Sequence, residues 1–438
     1  MRIYHSKHRL SLIALLATLV GLSAVTPAWA TTEDPDPRPA RPPAPTAEPA
    51  PKAGIAAPAV STDELPTGFS SWEQLFDEQE RLNLVADQIL AAGTAGYAGI
   101  VVDPTNHDVR VYWKGALPLG VAAAVEKGRN EATVRVFQAR YSDAELRAEA
   151  QRWIGSGLAT DAYAKSDGSG VVVEVASGPA AAAPQLPGGA KTEFTVEYSH
   201  SAFRPLVGNA GAVPAVEQLS STYWRWNDIA PWWGGSMYSR DTLPGCSAAF
   251  TVVDKEGYPG MLTAGHCGTT GGKIYKPGDY SHTPIGQVWW EWDYQDIALI
   301  WMYQSGAPRV YTGPWNSDYG RAVGGAASNY TGNYVCTSGA MSGEHCSIKV
   351  YYVSPSDVTV RANRTKSGAC AAAHGDSGGP VITENPGAAF GKGIISSGSD
   401  AVYTCWAGNT QLSGYNRIMY KSLKFALNYF QATLRTSS

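Results

Sequence analysis

His374-Gly375-Asp376-Ser377-Gly378-Gly379-Pro380 sets one hydroxyl-bearing residue in a turn with three glycines. Glycines beside a serine let backbone N–H groups close on a developing oxyanion, and losing one such donor typically costs about a hundredfold or more in rate. Residues 375–379 also satisfy G-x-S-x-G, the strand-to-helix elbow of α/β-hydrolases. In that arrangement the histidine base follows the serine in the chain. The eight histidines stand at positions 5, 8, 107, 200, 266, 282, 345 and 374, so none follows Ser377. The elbow reading is excluded, and the base must lie upstream.

Two upstream stretches supply partners. Leu262-Thr263-Ala264-Gly265-His266-Cys267 places a histidine just after an apolar strand, and Asp296-Ile297-Ala298-Leu299 places an acid at the head of another. A serine hydroxyl is a weak nucleophile until an imidazole accepts its proton. The imidazole in turn needs a carboxylate to fix its tautomer and stabilise the transient imidazolium. Asp293 competes for that role, but Asp296 enters the apolar run directly. His374 reads as a rim residue facing solvent, and no role falls to His282 or His345.

Taken in order, TAGHC, DIAL and GDSGGP resemble the chymotrypsin-like (trypsin-fold) serine peptidases. The fragments Gly245-Cys246-Ser247-Ala248-Ala249-Phe250, Cys336-Thr337-Ser338-Gly339 and Cys370-Ala371-Ala372-Ala373 are most similar to the bacterial secreted streptogrisin and α-lytic branch. The resemblance covers about residues 230–438. It implies an all-β fold of two six-stranded barrels with a C-terminal helix, preceded by a small α+β prodomain that blocks the cleft until removed. It implies a His266–Asp296–Ser377 triad, an oxyanion hole from the N–H groups of Gly375 and Ser377, and substrate contacts at Ala371, Ser396, Ser397 and Gly398. Relatives commonly carry an arginine after the cysteine at the place of Cys336, paired with the acid before the nucleophile. Here Thr337 stands there, so Asp376 needs another partner. The segment Cys370–Ala373 carries no acid, which favours an apolar over a basic residue before the scissile bond; Asp400 keeps a basic preference open.

Working outward, 438 residues exceed one average domain. Hydrophobic residues at 44% are ample for packed cores, and a net charge of −4 carries no polyelectrolyte signal. Neither nucleic acid nor a membrane is expected as partner; protein or peptide substrates and the chain's own prodomain are, and the enzyme is expected to be a monomer. Residues 1–30 read as a signal peptide, with a basic start, an apolar run and Ala28-Trp29-Ala30, so a secreted, extracellular product is expected. All six cysteines lie between Cys246 and Cys405. An even count in an exported chain reads as disulfides, with about fifteen pairings open on paper. The simplest joins sequence neighbours: Cys246 with Cys267, Cys336 with Cys346, and Cys370 with Cys405. The spacing is unlike that of zinc ligands, so no metal or other cofactor is expected.

Composition divides the rest. Residues 31–65 are rich in Pro and Ala and read as a disordered tether. Residues 66–176 alternate helical and strand patterns and read as the α+β prodomain, closing with a strand at Val171–Val175. Residues 177–227 read as a linker where processing occurs, and 228–438 as the peptidase domain, with helical spacing from Ile418 through Met419, Leu423, Leu427 and Phe430 to Leu434. The expected function is a secreted serine endopeptidase that works through an acyl-enzyme on Ser377 and is made as an inactive preproprotein. A binding protein on a peptidase scaffold is the alternative from another class. An esterase would keep the chemistry and change the substrate.

Overall fold

Ser71 opens the first helix, Trp72–Ala91, by accepting a hydrogen bond from the Gln74 N–H, one of the donors that a helix start leaves unpaired. Trp72, Leu75, Phe76, Leu82, Val85 and Ile89 form its buried stripe. The structure is a computed structural model describing residues 64–176, 186, 188–199, 202–206, 223–240, 243–277, 284–354 and 358–437. The expected signal peptide and most of the proline-rich segment lie outside them.

The helix packs beside a three-stranded sheet of Tyr97–Asp103, Asp108–Trp113 and Thr133–Gln138, the last joining in parallel. A second helix, Leu119–Gly128, precedes that parallel strand. Ser142 and Glu145 form the capping box of a third, Asp143–Gly155. A further sheet of Asp161–Ala164, Val171–Ala176 and Phe194–Ser199 completes the α+β part. Its outer strand corrects the linker reading of 177–227. Phe194–Ser199 runs parallel to Val171–Ala176 over six paired residues, satisfying backbone groups that composition alone does not reveal.

The same correction applies at the other end of that stretch. Trp224, Arg225 and Trp226 are buried, and the Trp226 indole donates to the Ala340 carbonyl at 2.6 Å. They belong to the β domain that follows.

That domain contains two antiparallel bodies. The first is an eight-stranded sheet in the order Leu243–Ser247, Met237–Arg240, Lys273–Tyr275, Pro284–Trp292, Ile297–Met302, Pro259–Thr263, Thr251–Val253, Thr433–Leu434. In the second, pairing runs from Thr410–Ser422 through Thr359–Arg364, Gly343–Val353, Tyr334–Gly339, Pro380–Asn385 and Ala388–Ala407, and then back to Thr410–Ser422. Six strands thus close a ring with no edge between them. The architecture is the all-β, chymotrypsin-like one, with an α+β part before it and a helix near its end.

The terminal helix is shorter than its spacing suggests. Ile418 and Met419 lie inside the strand Thr410–Ser422, paired on both sides, and only Leu423–Phe430 is helical. Leu434 lies in the strand that returns to the first sheet. Ladder pairing on two edges overrides an apolar spacing that helix and strand share.

All six cysteines are paired: Cys246–Cys267, Cys336–Cys346 and Cys370–Cys405. No described helix is long and apolar enough to cross a membrane.

Candidate active site

His266 sits in a short 3-10 turn, Gly265–Cys267, at the end of the strand Pro259–Thr263. Asp296 precedes the strand Ile297–Met302 in a left-handed conformation, φ 52°. These strands are neighbours, so the pairing of Thr263 with Ala298 brings the two side chains together. The Asp296 Oδ1 accepts from the His266 backbone N–H and from its Nδ1, both at 2.8 Å. The Ser396 hydroxyl donates to Oδ2 at 2.5 Å. Burial alone would raise the Asp296 carboxyl, but the imidazole, the Ser396 hydroxyl and the backbone donor together hold it below its ordinary value. A carboxylate accepts only, so Nδ1 carries a proton, and in the neutral imidazole Nε2 holds the lone pair. The Ser377 Oγ lies 2.7 Å from that Nε2.

Asp293, the competing acid, instead starts the turn Asp293–Gln295, and its carbonyl accepts from the Asp296 N–H at 3.1 Å. His374 packs its ring against Tyr415, with Nε2 3.1 Å from the tyrosine hydroxyl.

The turn around Ser377 is fixed from both bodies. The Ser377 carbonyl accepts from the Ser247 N–H at 2.8 Å, and the Ser247 hydroxyl donates to the Gly375 carbonyl at 2.8 Å. The Gly378 N–H donates to the Ile395 carbonyl at 2.8 Å. Gly378 has φ +81°, and a Cβ there would lie 2.1 Å from Thr263 Oγ1, so glycine alone fits. Gly375 has φ +94°, and its N–H donates to the Leu206 carbonyl at 2.7 Å.

Asp376 is fully buried, and among the described residues no arginine pairs with it directly. Its carboxylate accepts from the N–H groups of Met341 at 2.8 Å, Ser342 at 3.0 Å and Ala373 at 2.7 Å, and from the Ser342 hydroxyl. Burial keeps its carboxyl above the ordinary range in spite of these four donors. Thr337 turns elsewhere, its hydroxyl donating to the Ala371 carbonyl at 2.6 Å.

A compensating charge comes from a residue that the sequence did not single out. Arg225 is wholly buried and donates to the carbonyls of Gly313, Pro314, Gly235, Ser338 and Gly339 at 3.1–3.3 Å. Gly339 in turn abuts the Asp376 carboxyl: a Cβ at Gly339 would lie 2.2 Å from it. Burial lowers the guanidinium to about 10. A single arginine among tryptophans in a stretch read as linker carries no sequence signal for this role.

Of the expected substrate contacts, Ala371 is buried, and Ser396, Ser397 and Gly398 lie along the strand Ala388–Ala407. A two-residue strand, Arg204–Pro205, pairs antiparallel with it, Ser397 opposite Pro205 and Gly398 opposite Arg204. Asp400 faces away, its carboxylate 3.7 Å from Arg417.

A closed six-stranded ring, a second antiparallel sheet and a carboxylate–imidazole–hydroxyl row where they meet define the trypsin-type architecture. The chain matches no protein-family model and no curated protein. Among solved structures it is similar to Nocardiopsis protease (NAPase), at 24% identity and TM-score 0.35 over 47% of this chain and 98% of that one. Thermobifida fusca protease A gives the same figures. Cellulomonas bogoriensis chymotrypsin is 22% identical at TM-score 0.35, again over 47% of this chain and 98% of its own.

Proposed function

We propose that the chain is the precursor of a secreted serine endopeptidase. One observation carries this reading: Asp296, His266 and Ser377 form a continuous hydrogen-bonded row with 2.8 and 2.7 Å links, in the tautomer that general-base catalysis needs. Ser377 Oγ attacks a peptide carbonyl while His266 Nε2 takes its proton. Asp296 stabilises the imidazolium that forms. The N–H groups of Gly375 and Ser377 receive the oxyanion, and His266 then protonates the departing amine. Water releases the acyl group by the same steps in reverse, without metal or cofactor.

The α+β part acts as a prodomain. It docks on the β domain through buried polar contacts as well as apolar ones. Arg361 meets Asp161 at 2.6 Å, Arg417 meets Glu174 at 2.5 Å, and Tyr163 packs on Tyr351 and Tyr352. Three disulfides and the amino-terminal leader pattern support an extracellular destination. The test is labelling of the processed protein with a fluorophosphonate probe, alongside casein degradation. Label on Ser377, lost in Ser377→Ala, is expected; a folded, processed protein that takes no label would overturn the reading.

A further inference from the structure

Residues 202–206 re-enter the cleft as an extended peptide. Arg204 and Pro205 pair with Gly398 and Ser397, and the next residue, Leu206, points its carbonyl at Gly375, whose N–H donates to it at 2.7 Å. A carbonyl on an oxyanion donor, preceded by backbone laid antiparallel on the neighbouring strand edge, is the register of a bound substrate.

Burial along the segment is selective. Arg204 and Pro205 are exposed, whereas Leu206 is 0% exposed. Its side chain joins a cluster that includes Ala371, Ala372, Ile395 and Tyr415. The acids nearest in sequence are committed elsewhere. Asp376 is enclosed by its own four donors, and Asp400 faces Arg417 in a separate cleft with Glu174 and Glu197. Three residues upstream, the Phe203 ring lies beneath the guanidinium groups of Arg361 and Arg417, at 5.8 and 5.4 Å.

Resting on the serine-peptidase reading above, we infer that the enzyme cleaves after leucine and that its first substrate is its own chain at the Leu206 carbonyl. Ser377 Oγ bonds to the Leu206 carbonyl carbon, and the bond from that carbon to the Val207 nitrogen breaks. The serine proton passes through His266 to that nitrogen, which becomes the new amino terminus. Water then splits the ester, restoring the Ser377 hydroxyl and leaving a carboxylate on Leu206.

The test combines amino-terminal sequencing of the processed full-length chain with turnover of Phe-Arg-Pro-X nitroanilides, X being Leu, Ala, Lys or Asp. A mature chain beginning at Val207 is expected from wild type and Leu206→Met, with processing slowed at least about tenfold in Leu206→Asp. Leucine should exceed alanine in kcat/KM by about tenfold or more, as for a pocket that loses several methyl and methylene groups. The peptide series uses wild-type enzyme, so it stands even if Leu206→Asp misfolds. A different amino terminus, or a preference for Lys or Asp, overturns this inference while Ser377 still takes the fluorophosphonate label. Absence of the label overturns the peptidase reading itself.

Discussion

Gln79 and Tyr334 exchange two hydrogen bonds across the interface between the first helix and the closed ring. The Gln79 amide nitrogen donates to the Tyr334 carbonyl at 3.0 Å, and the Tyr334 N–H donates to the Gln79 Oε1 at 2.6 Å. A helix side chain thereby pairs with the ring's backbone as a neighbouring strand would. The Asn333 amide nitrogen donating to the Asn83 Oδ1 at 3.0 Å and the Asn385 amide nitrogen donating to the Phe76 carbonyl at 3.0 Å extend the seam.

Gln79→Leu keeps the side-chain bulk but leaves the Tyr334 N–H and carbonyl buried without that partner. Each such group costs about 1–3 kcal/mol. Urea unfolding of the Ser377→Ala precursor should show a loss of about 2–4 kcal/mol; a change under 0.5 kcal/mol (roughly the range of inert surface substitutions) would mean that the seam is not holding the two parts together.

Asp376→Asn replaces an all-acceptor group with one that turns two N–H bonds toward existing donors. Ala373 N–H and the Ser342 hydroxyl face one oxygen, and the N–H groups of Met341 and Ser342 face the other, so neither amide orientation fits. The Gly375–Ser377 turn should loosen. We expect kcat to fall at least about tenfold with KM changed far less, since oxyanion donors act mainly in the transition state. Equal effects on both parameters would point to damage in substrate binding instead.

Asp296 gives a pH signature. Its folded value is depressed below the ordinary 3.8, so its contribution to stability is complete above the unfolded value and disappears as pH falls through the folded one. In a Ser377→Ala background, the margin by which wild-type Asp296 out-stabilises Asp296→Asn should therefore shrink as pH falls below about 4. Thermal melts from about pH 2 to 4 would show this; a margin growing toward low pH over that range would reverse the assigned sign.

Cys370–Cys405 closes the widest of the three disulfide loops, a separation of 35 residues. Chain entropy assigns about 4 kcal/mol to such a loop. The double Cys370→Ala, Cys405→Ala variant of the inactive precursor should lose 2–4 kcal/mol or so in urea, and reductant should then leave that variant's remaining loss smaller than that of the parent.

The juxtaposition of His266, Asp296 and Ser377 was legible because their neighbours in sequence carry the signal: a histidine and an acid at the mouths of two strands that pair, and a serine among glycines. The β texture of the second half of the chain was legible from short apolar runs between turns. The last helix was overcalled, because spacing from Ile418 to Leu434 does not encode the two edges that hold Ile418 in a strand. Phe194–Ser199 and Leu206 were hidden for a related reason. Their roles depend on partners far away in sequence, and their surroundings are rich in Ala, Pro and Gly. Arg225 serves carbonyls, which every sequence has, so nothing in residue type announces it.

The six-stranded ring is completed by its last two members, Ala388–Ala407 against Thr410–Ser422. Synthesis therefore imposes a schedule. Everything in the α+β part has been made by Ser199, roughly two hundred residues before the closing strand exists. At ordinary elongation rates the interval is on the order of ten to forty seconds, ample for an early-made unit to take shape first. An α+β part that folds first offers the half-made ring a surface bearing Gln79, Asn83 and Glu174, the same groups that meet the ring in the finished molecule.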